Sequence, residues 1–435
     1  MLSHSFATAL PNFVSPWRVE AWPDAQIKLL NPDFQLDDAA LWQLLKQEGH
    51  AQAYAGHQFG QFVPMLGDGR AVLLGDIATP DGTKEVHVKG SGPTPYSRRG
   101  DGKAQLGPVL REYLMSEFMH AVGIPTTRGL AVITTGETIA RQTLQPGAVL
   151  LRVADSHLRV GTFQLAAIRG REHVLEVLRY SAQVLGVQAD TDAALAEALL
   201  LRVMQLQATL VAQWMRIGFV HGVMNTDNCS ITGETLDYGP CAFIDRFDGN
   251  AVFSSIDQQG RYSFGNQPHI AAWNMVRLAE CFVGILEVDA LNELVQQFPQ
   301  LYRNAWIKEM ALVLGLEPSP EAEELLDDLL VLLQHHNPDY HSLMLKLRNN
   351  PESADQWLQP WIQRWQALDP DRDMMRQHMP NWIPRNHIVE QVIQAALRQD
   401  WDVVREHLGY ARDPFNAPVA KAPENPAPYV TYCGT

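Results

Sequence analysis

Cysteine is scarce in this chain, and positive charge is outweighed. The four cysteines among 435 residues stand at 229, 241, 281 and 433 with no C-x-x-C spacing, which excludes a zinc knuckle and a disulfide scaffold. With 34 Lys and Arg against 49 Asp and Glu, the formal charge is −15. Binding nucleic acid by broad phosphate neutralisation needs a basic surface, so no nucleic-acid partner is expected. No uninterrupted apolar run reaches the length of a membrane span. The opening MLSHSFATALPNF has no basic region followed by a long apolar stretch and is not Arg-rich, so a cytoplasmic location and no membrane partner are expected. What is present is 46% hydrophobic residues in a long chain, enough for a large core shared by two lobes.

Residues 61 to 165 carry short apolar runs between glycine turns, namely AVLLG, EVHVKG, LAVITT and AVLLRV, which read as strands. One helical stretch lies among them, GPVLREYLMSEFMHAVGIP, with Pro108 suited to its first turn and Gly123 and Pro125 to its end. From about residue 170 the pattern turns helical. Leu199, Val203, Leu206, Leu210, Trp214 and Ile217 follow the three-four spacing of one helix face, with Thr191 or Asp192 as cap and Gly218 as terminator. Further helices are expected at roughly 270–285, 288–314, 320–335 and 386–408. The proline-rich end, DPFNAPVAKAPENPAPYVTYCGT, reads as an extended tail. The fold class expected is α+β: a bilobal protein-kinase-like fold with a strand-rich first lobe (1–165) built around one key helix, a larger and mainly helical second lobe (166–412), and a tail (413–435).

The stretch HGVMNTDNCSITGETLDYGP, residues 221 to 240, bears on chemistry. Kinase catalytic loops read H-R-D-x-x-x-x-N, with the Asp as base and the Asn on a metal, and a D-F-G follows whose Asp binds metal. Aligning Asn228 with that Asn places His221 on the His and Val223 on the base. A valine cannot accept a proton, so the chain is either an inactive kinase or an enzyme with a relocated base. Asp227, beside Asn228, is the natural replacement, although Asp in such loops is commonly a backbone cap. Between Asn228 and Asp237, CSITGETL reads as a tight hairpin returning both residues to one spot. An Asn oxygen and a carboxylate are hard ligands suited to Mg²⁺ or Mn²⁺ bridging a triphosphate such as ATP. His221 reads as an anchor for the loop.

In LGDGRAVLLG, Gly67 and Gly69 would let backbone N–H groups approach phosphate oxygens, and Arg70 would supply a forked donor. A simple hairpin is the commoner meaning of such a pattern. Lys89 follows in EVHVKG, where alternation puts His87 and Lys89 on one face. A lysine in that position holds phosphates in kinases, and Glu112 on the lobe's helix could pair with it. YSRRGDGKA adds Asp101 and Gly102 near several cations, and LLRVADSHLRVGTF adds Arg152 and Arg159. Separately these cations are solvated surface charges. Converging, they hold the β- and γ-phosphates and leave the α-phosphate as the reacting centre.

In YAGHQFGQF, LGDGR, HVKGSGPTPYSRRGDGKA, GIPTTRGLAV, SHLRVGTF, HGVMNTDNCS, LDYGP and QGRYSFGNQP, the chain resembles the selenoprotein O family of kinase-like protein adenylyltransferases, over nearly its whole length. The resemblance implies that ATP binds flipped relative to kinases and that AMP is moved to Ser, Thr or Tyr hydroxyls of proteins, the enzyme itself among them. It implies Asp227 as proton acceptor and Asn228 and Asp237 as metal ligands. It also implies Gly67, Gly69, Arg70, Lys89, Asp101, Gly102, Arg152, Arg159 and Asp237 at the nucleotide, with Glu112 as partner of Lys89. Cys433 matches the family's selenocysteine or cysteine near the C-terminus. The loop NAVFSSIDQQG has no cysteine where some relatives do, leaving Cys241 as the candidate partner. Pro93-Thr94-Pro95 and Lys103 depart from the family pattern. Transfer of UMP from UTP, transfer of the γ-phosphate, and a non-catalytic nucleotide-binding scaffold remain the alternatives.

Overall fold

A computed structural model describes residues 2–22, 24–141, 143–423 and 429–432. The first lobe is an antiparallel sheet. Its strands are β1 (Val14–Trp17), β2 (Gln26–Leu30), β3 (Gly49–Gln52), β6 (Ala71–Thr79), β7 (Gly82–Lys89), β8 (Ala104–Gln105), β9 (Arg128–Ala140) and β10 (Leu144–Ala154); the short hairpin β4 (Gly56–Gln58) and β5 (Gln61–Val63) stands apart. The order across the sheet is β1-β3-β6-β7-β10-β9-β2, with β8 added beside β10.

Strand periodicity separates core from chemistry. Val72, Leu74, Val86, Val88, Val149, Leu151 and Val153 form one buried face, covered by Leu41 and Leu44 of helix Asp38–Leu45. The alternate residues His87, Lys89, Leu150 and Arg152 therefore lie on the other face. Register then sets the spacing, because Lys89 pairs with Leu150 and His87 with Arg152. Helix Leu106–Ala121 packs against β9 and β10, bringing Glu112 to these cations.

The second lobe is helical, as expected. Its central helix, Asp192–Ile217, is capped by the Thr191 side chain accepting from Ala194 N–H and ends at Gly218 in the left-handed region. By length and composition this helix could cross a membrane; half of its most apolar window is buried inside the protein. It leads through the two-residue strand Phe219–Val220, which pairs with Ala242–Phe243, so the two arms of the 221–240 loop leave from one place. A core continuous from Leu110 and Phe118 through Phe243 to Trp382 joins the lobes.

Two expectations need correction. The helix expected over 288–314 is two helices, Val288–Val295 and Phe298–Leu314, with Pro299 in the first turn of the second, where its missing N–H costs nothing. The one expected over 386–408 is Asn386–Leu397 and Trp401–Arg412, separated by Gln399 at φ 64° and started by an Asp400 cap. The described part of the tail is held against the protein. Thr431 bridges Ser254 in parallel and donates to Pro240 O at 2.7 Å, while Arg111 donates to the Tyr429 hydroxyl at 2.7 Å. Residue 165, the expected boundary of the first lobe, falls inside helix Val160–Arg169. Cys433 lies outside the described residues.

Candidate active site

A cleft of about 810 Å³ opens between the lobes, within the size range of small-molecule sites. Gly67, Gly69, Arg70, Lys89, Asp101, Gly102, Arg152, Arg159, Asp227, Asn228 and Asp237 all line it. At its floor the Lys89 ammonium lies 2.6 Å from Glu112 Oε2 and also contacts Asp237 Oδ1. Arg152 Nη1 reaches Glu112 Oε1 at 2.9 Å and Asp237 Oδ1 at 2.7 Å. Arg159 donates from Nη1 to the Asp227 carbonyl at 2.9 Å and lies 3.7 Å from Asp237 Oδ2. The arginines are therefore not scattered surface charges. Burial opposes ionisation of Asp237, yet Arg152, Lys89 and Arg159 hold its carboxyl well below the usual range, and it is anionic at any working pH. Its φ of 67° is unusual for a non-glycine residue, a strain typical of functional turns.

The hairpin expected between Asn228 and Asp237 is present as a bridge from Cys229 to Thr235, with Gly233 at φ 75°. Asn228 donates its amide to Val223 O at 3.1 Å, committing its nitrogen and leaving its oxygen as the atom suited to a cation. Val223 thus serves the loop through its backbone. His221 is buried, its Nε2–H donating to Leu236 O at 2.9 Å and its Nδ1 accepting from Val223 N–H at 3.3 Å, which ties the two arms together. The donor set of Asn228 oxygen and Asp237 Oδ2 suits a hard divalent cation completed by water and phosphate oxygens.

Asp227 is buried, and burial pushes its carboxyl up to about 6 despite Arg159. Among the described residues Oδ1 has no hydrogen-bond partner, and Oδ2 meets a long contact from Gln58 Nε2 at 3.5 Å. An unpartnered buried carboxylate oxygen is costly and is often explained by a catalytic role. The surrounding loop is held by the β4–β5 hairpin. His57 N–H donates to Thr226 Oγ1 at 2.6 Å and Phe59 N–H to Asn225 Oδ1 at 3.0 Å, and the latter also accepts from the Tyr262 hydroxyl at 2.6 Å.

Asp101 and Gly102 reach the cleft rim by different means. Asp101 accepts from Lys103 N–H at 3.0 Å and pairs with Arg141 at 2.6 Å, so it orders the loop. Gly102 has φ 66°, and a Cβ there would stand 2.0 Å from Gly92 O. Gly67 has φ 72°, and a Cβ would meet the Tyr96 ring at 2.4 Å. Gly67→Ala is expected to raise the Kd for ATP by about tenfold or more, from combined strain and steric conflict, measured by titration calorimetry. Cys241, the candidate redox partner, is buried, with its thiol pushed up to about 12 by burial, which suppresses the reactive thiolate.

Residue reasoning passed over Asp68, Tyr54, Gln58 and Arg141, all of which line the cleft. Asp68 stands between two glycines that drew attention for their backbones, and Tyr54 and Gln58 belong to YAGHQFGQF, which carries no local pattern of catalysis. Chain alternation gives no hint that this segment returns to the base.

Residues 33–411 match the family described as "Protein adenylyltransferase SelO". A "Protein nucleotidyltransferase YdiU" of Mycolicibacterium smegmatis is 45% identical, with 100% of this chain and 98% of that protein covered. A protein of the same name from Anoxybacillus flavithermus is 47% identical over 88% of this chain and 85% of its own length. Among solved structures, ROP2 from Toxoplasma gondii, described as a virulence factor with a protein-kinase fold and no enzymatic activity, is 10% identical and covers 76% of this chain and 90% of its own, with a TM-score of 0.29. That likeness is too distant to bear on the chemistry.

Proposed function

The chain belongs to the protein adenylyltransferase SelO family, and from that membership we propose that it transfers AMP from ATP to a Ser, Thr or Tyr hydroxyl of a protein, releasing pyrophosphate. The oxygen of the acceptor attacks the α-phosphorus, the bond to the bridging oxygen of pyrophosphate breaks, and Asp227 takes the hydroxyl proton on Oδ1. The observation that carries this reading is the juxtaposition in one cleft of an unpartnered carboxylate oxygen on Asp227 and a buried cluster of Lys89, Arg152 and Arg159. Such a cluster offers fixed positive charge to the departing pyrophosphate, with Gly67, Gly69 and Arg70 approaching from the loop above and Asp101 and Gly102 ordering the rim. Asn228 and Asp237 would hold Mg²⁺ or Mn²⁺, which when bound supplies positive charge against the phosphates. In this scheme residues 1–165 hold the nucleotide, 166–412 supply the base and metal ligands, and 413–435 form the tail.

The protein incubated with ATP and divalent metal, then weighed intact, is expected to gain the mass of AMP on itself or on an added protein acceptor. Label at the α-phosphorus is expected on protein, and label at the γ-phosphorus is not. Transfer of γ-label would show a kinase, uridylyl mass from UTP would show the other nucleotide, and binding without transfer would show a scaffold.

A further inference from the structure

We infer that Asp68 is a positioning residue for this transfer: its buried carboxylate locks the glycine loop onto Arg159 and His87, so that loop and guanidinium form one preset cradle for the outer phosphates. The inference rests on the nucleotidyl-transfer reading above and goes beyond it to a residue outside the proposed nucleotide contacts.

Two hydrogen-bond donors, Tyr54 and Gln52, and two further groups, Arg159 and His87, converge on this carboxylate. Oδ1 accepts from the Tyr54 hydroxyl at 3.1 Å and lies 3.6 Å from Arg159 Nη2. Oδ2 accepts from Gln52 N–H at 3.1 Å and lies 3.2 Å from His87 Nε2. The His87 tautomer follows from its other side. Arg152 Nη2 stands 3.4 Å from His87 Nδ1, and a guanidinium only donates, so Nδ1 is the acceptor and the ring proton sits on Nε2, close to Asp68 Oδ2 but off the line of a hydrogen bond. Arg159 is in turn gripped by the Tyr54 ring, 4.5 Å from its carbon, and by the Asp227 carbonyl.

The loop backbone is fixed by the same arrangement. Asp68 N–H donates to Gln52 O at 2.8 Å and Leu66 N–H to Tyr54 O at 2.9 Å, while the carbonyls of Asp68 and Gly69 accept from the Thr94 and Ser97 hydroxyls. With the Asp68 side chain buried and glycine on either side of it, the loop offers its backbone to the cleft. Asp68 therefore joins three parts that must agree in position, namely the loop, Arg159 and the segment carrying Asp227. Preset geometry of this kind lowers the cost of binding a phosphate chain. An asparagine fits the same space, but offers one acceptor oxygen and places an amide donor against donors.

The test uses the full chain with α-labelled ATP and a protein acceptor, wild type in parallel. For Asp68→Asn, the KM for ATP and the inhibition constant for pyrophosphate are expected to rise together by about tenfold, the size of one lost charge-assisted hydrogen bond, with the KM for the acceptor protein unchanged. A merely structural aspartate would lower thermal stability and soluble yield while leaving both phosphate constants at wild-type values, and that result would overturn the inference. If Asp68→Asn does not fold, Tyr54→Phe removes a single hydroxyl from the same carboxylate. Both constants are expected to rise by about threefold there, and unchanged constants would overturn the inference equally. Calorimetric titration with pyrophosphate reads Asp68 without catalysis. A wild type that transfers no α-label would therefore refute the activity while the calorimetry still decides the role of Asp68.

Discussion

Asp227→Asn is expected to lower AMP transfer by about 10²–10⁴-fold, to leave ATP binding near wild type, and to make the protein more stable at pH 8. The first effect follows from removing the only proton acceptor proposed on the loop, and the second from the substitution leaving the Asp227 carbonyl, which holds Arg159, in place. The third is less intuitive and more diagnostic. Burial raises the Asp227 carboxyl to about 6, against an ordinary value of about 3.9, so the folded state resists its ionisation. A group raised on folding contributes stability that is full below the unfolded value and is lost as pH climbs through the folded one. Wild type should therefore gain nothing from Asp227 above pH 6, and the asparagine variant should exceed it there by up to about 3 kcal/mol. The two should converge below pH 4. Denaturant unfolding of metal-free protein at pH 4 and pH 8 reads the difference, and equal stability at pH 8 would show that the carboxylate has a partner there. The same group is expected to set the acid limb of the pH–rate profile, with activity rising as pH passes about 6, and a bound cation would move that limb lower. Transfer within threefold of wild type in the variant would remove Asp227 from the mechanism.

How far the sequence foretold this site depended on how local each signal was. Lys89 was legible because strand alternation fixes the face of a side chain, Arg152 only as one of several cations within one lobe's sequence, and Asn228 and Asp237 because a tight T-G-E turn flanked by Ile231 and Leu236 brings the ends of the hairpin together. Glu112 needed one further step, the packing of its helix on the sheet. Asp68 was not legible as a residue with a role, because its partners Gln52, Tyr54, His87 and Arg159 come from three segments whose meeting is set by the tertiary fold rather than by spacing. The β4–β5 hairpin escaped for the same reason. Its contacts with Asn225 and Thr226 span the lobes. The two overlong helices failed locally. Over 288–314 and 386–408 the apolar period runs on through the break, and only Pro299 and Gln399 mark where the backbone turns.

The proposed metal ligand, Asp237, is also a keystone of the floor, and this changes what its removal should do. From the sequence, Asp237 reads as a ligand whose loss would end transfer and spare the fold. In the structure its carboxylate neutralises Lys89 and Arg152, and Arg152 is only 2% exposed. Asp237→Asn should abolish metal-dependent transfer. It should also destabilise the nucleotide-free protein by about 3–5 kcal/mol, since breaking a buried ion pair on one side leaves charge uncompensated. Glu112 still faces both cations, which places the effect toward the lower end. The compensation is expected from the ligand. With metal chelated, the triphosphate of ATP meets repulsion from Asp237 in wild type and three less neutralised cations in the variant, so ATP should raise the melting temperature more in Asp237→Asn than in wild type. Thermal melts with EDTA, with and without ATP, measure both shifts side by side. A variant as stable as wild type without nucleotide, or one that ATP stabilises less, would mean that Glu112 alone balances Lys89 and Arg152 and that Asp237 serves the metal only.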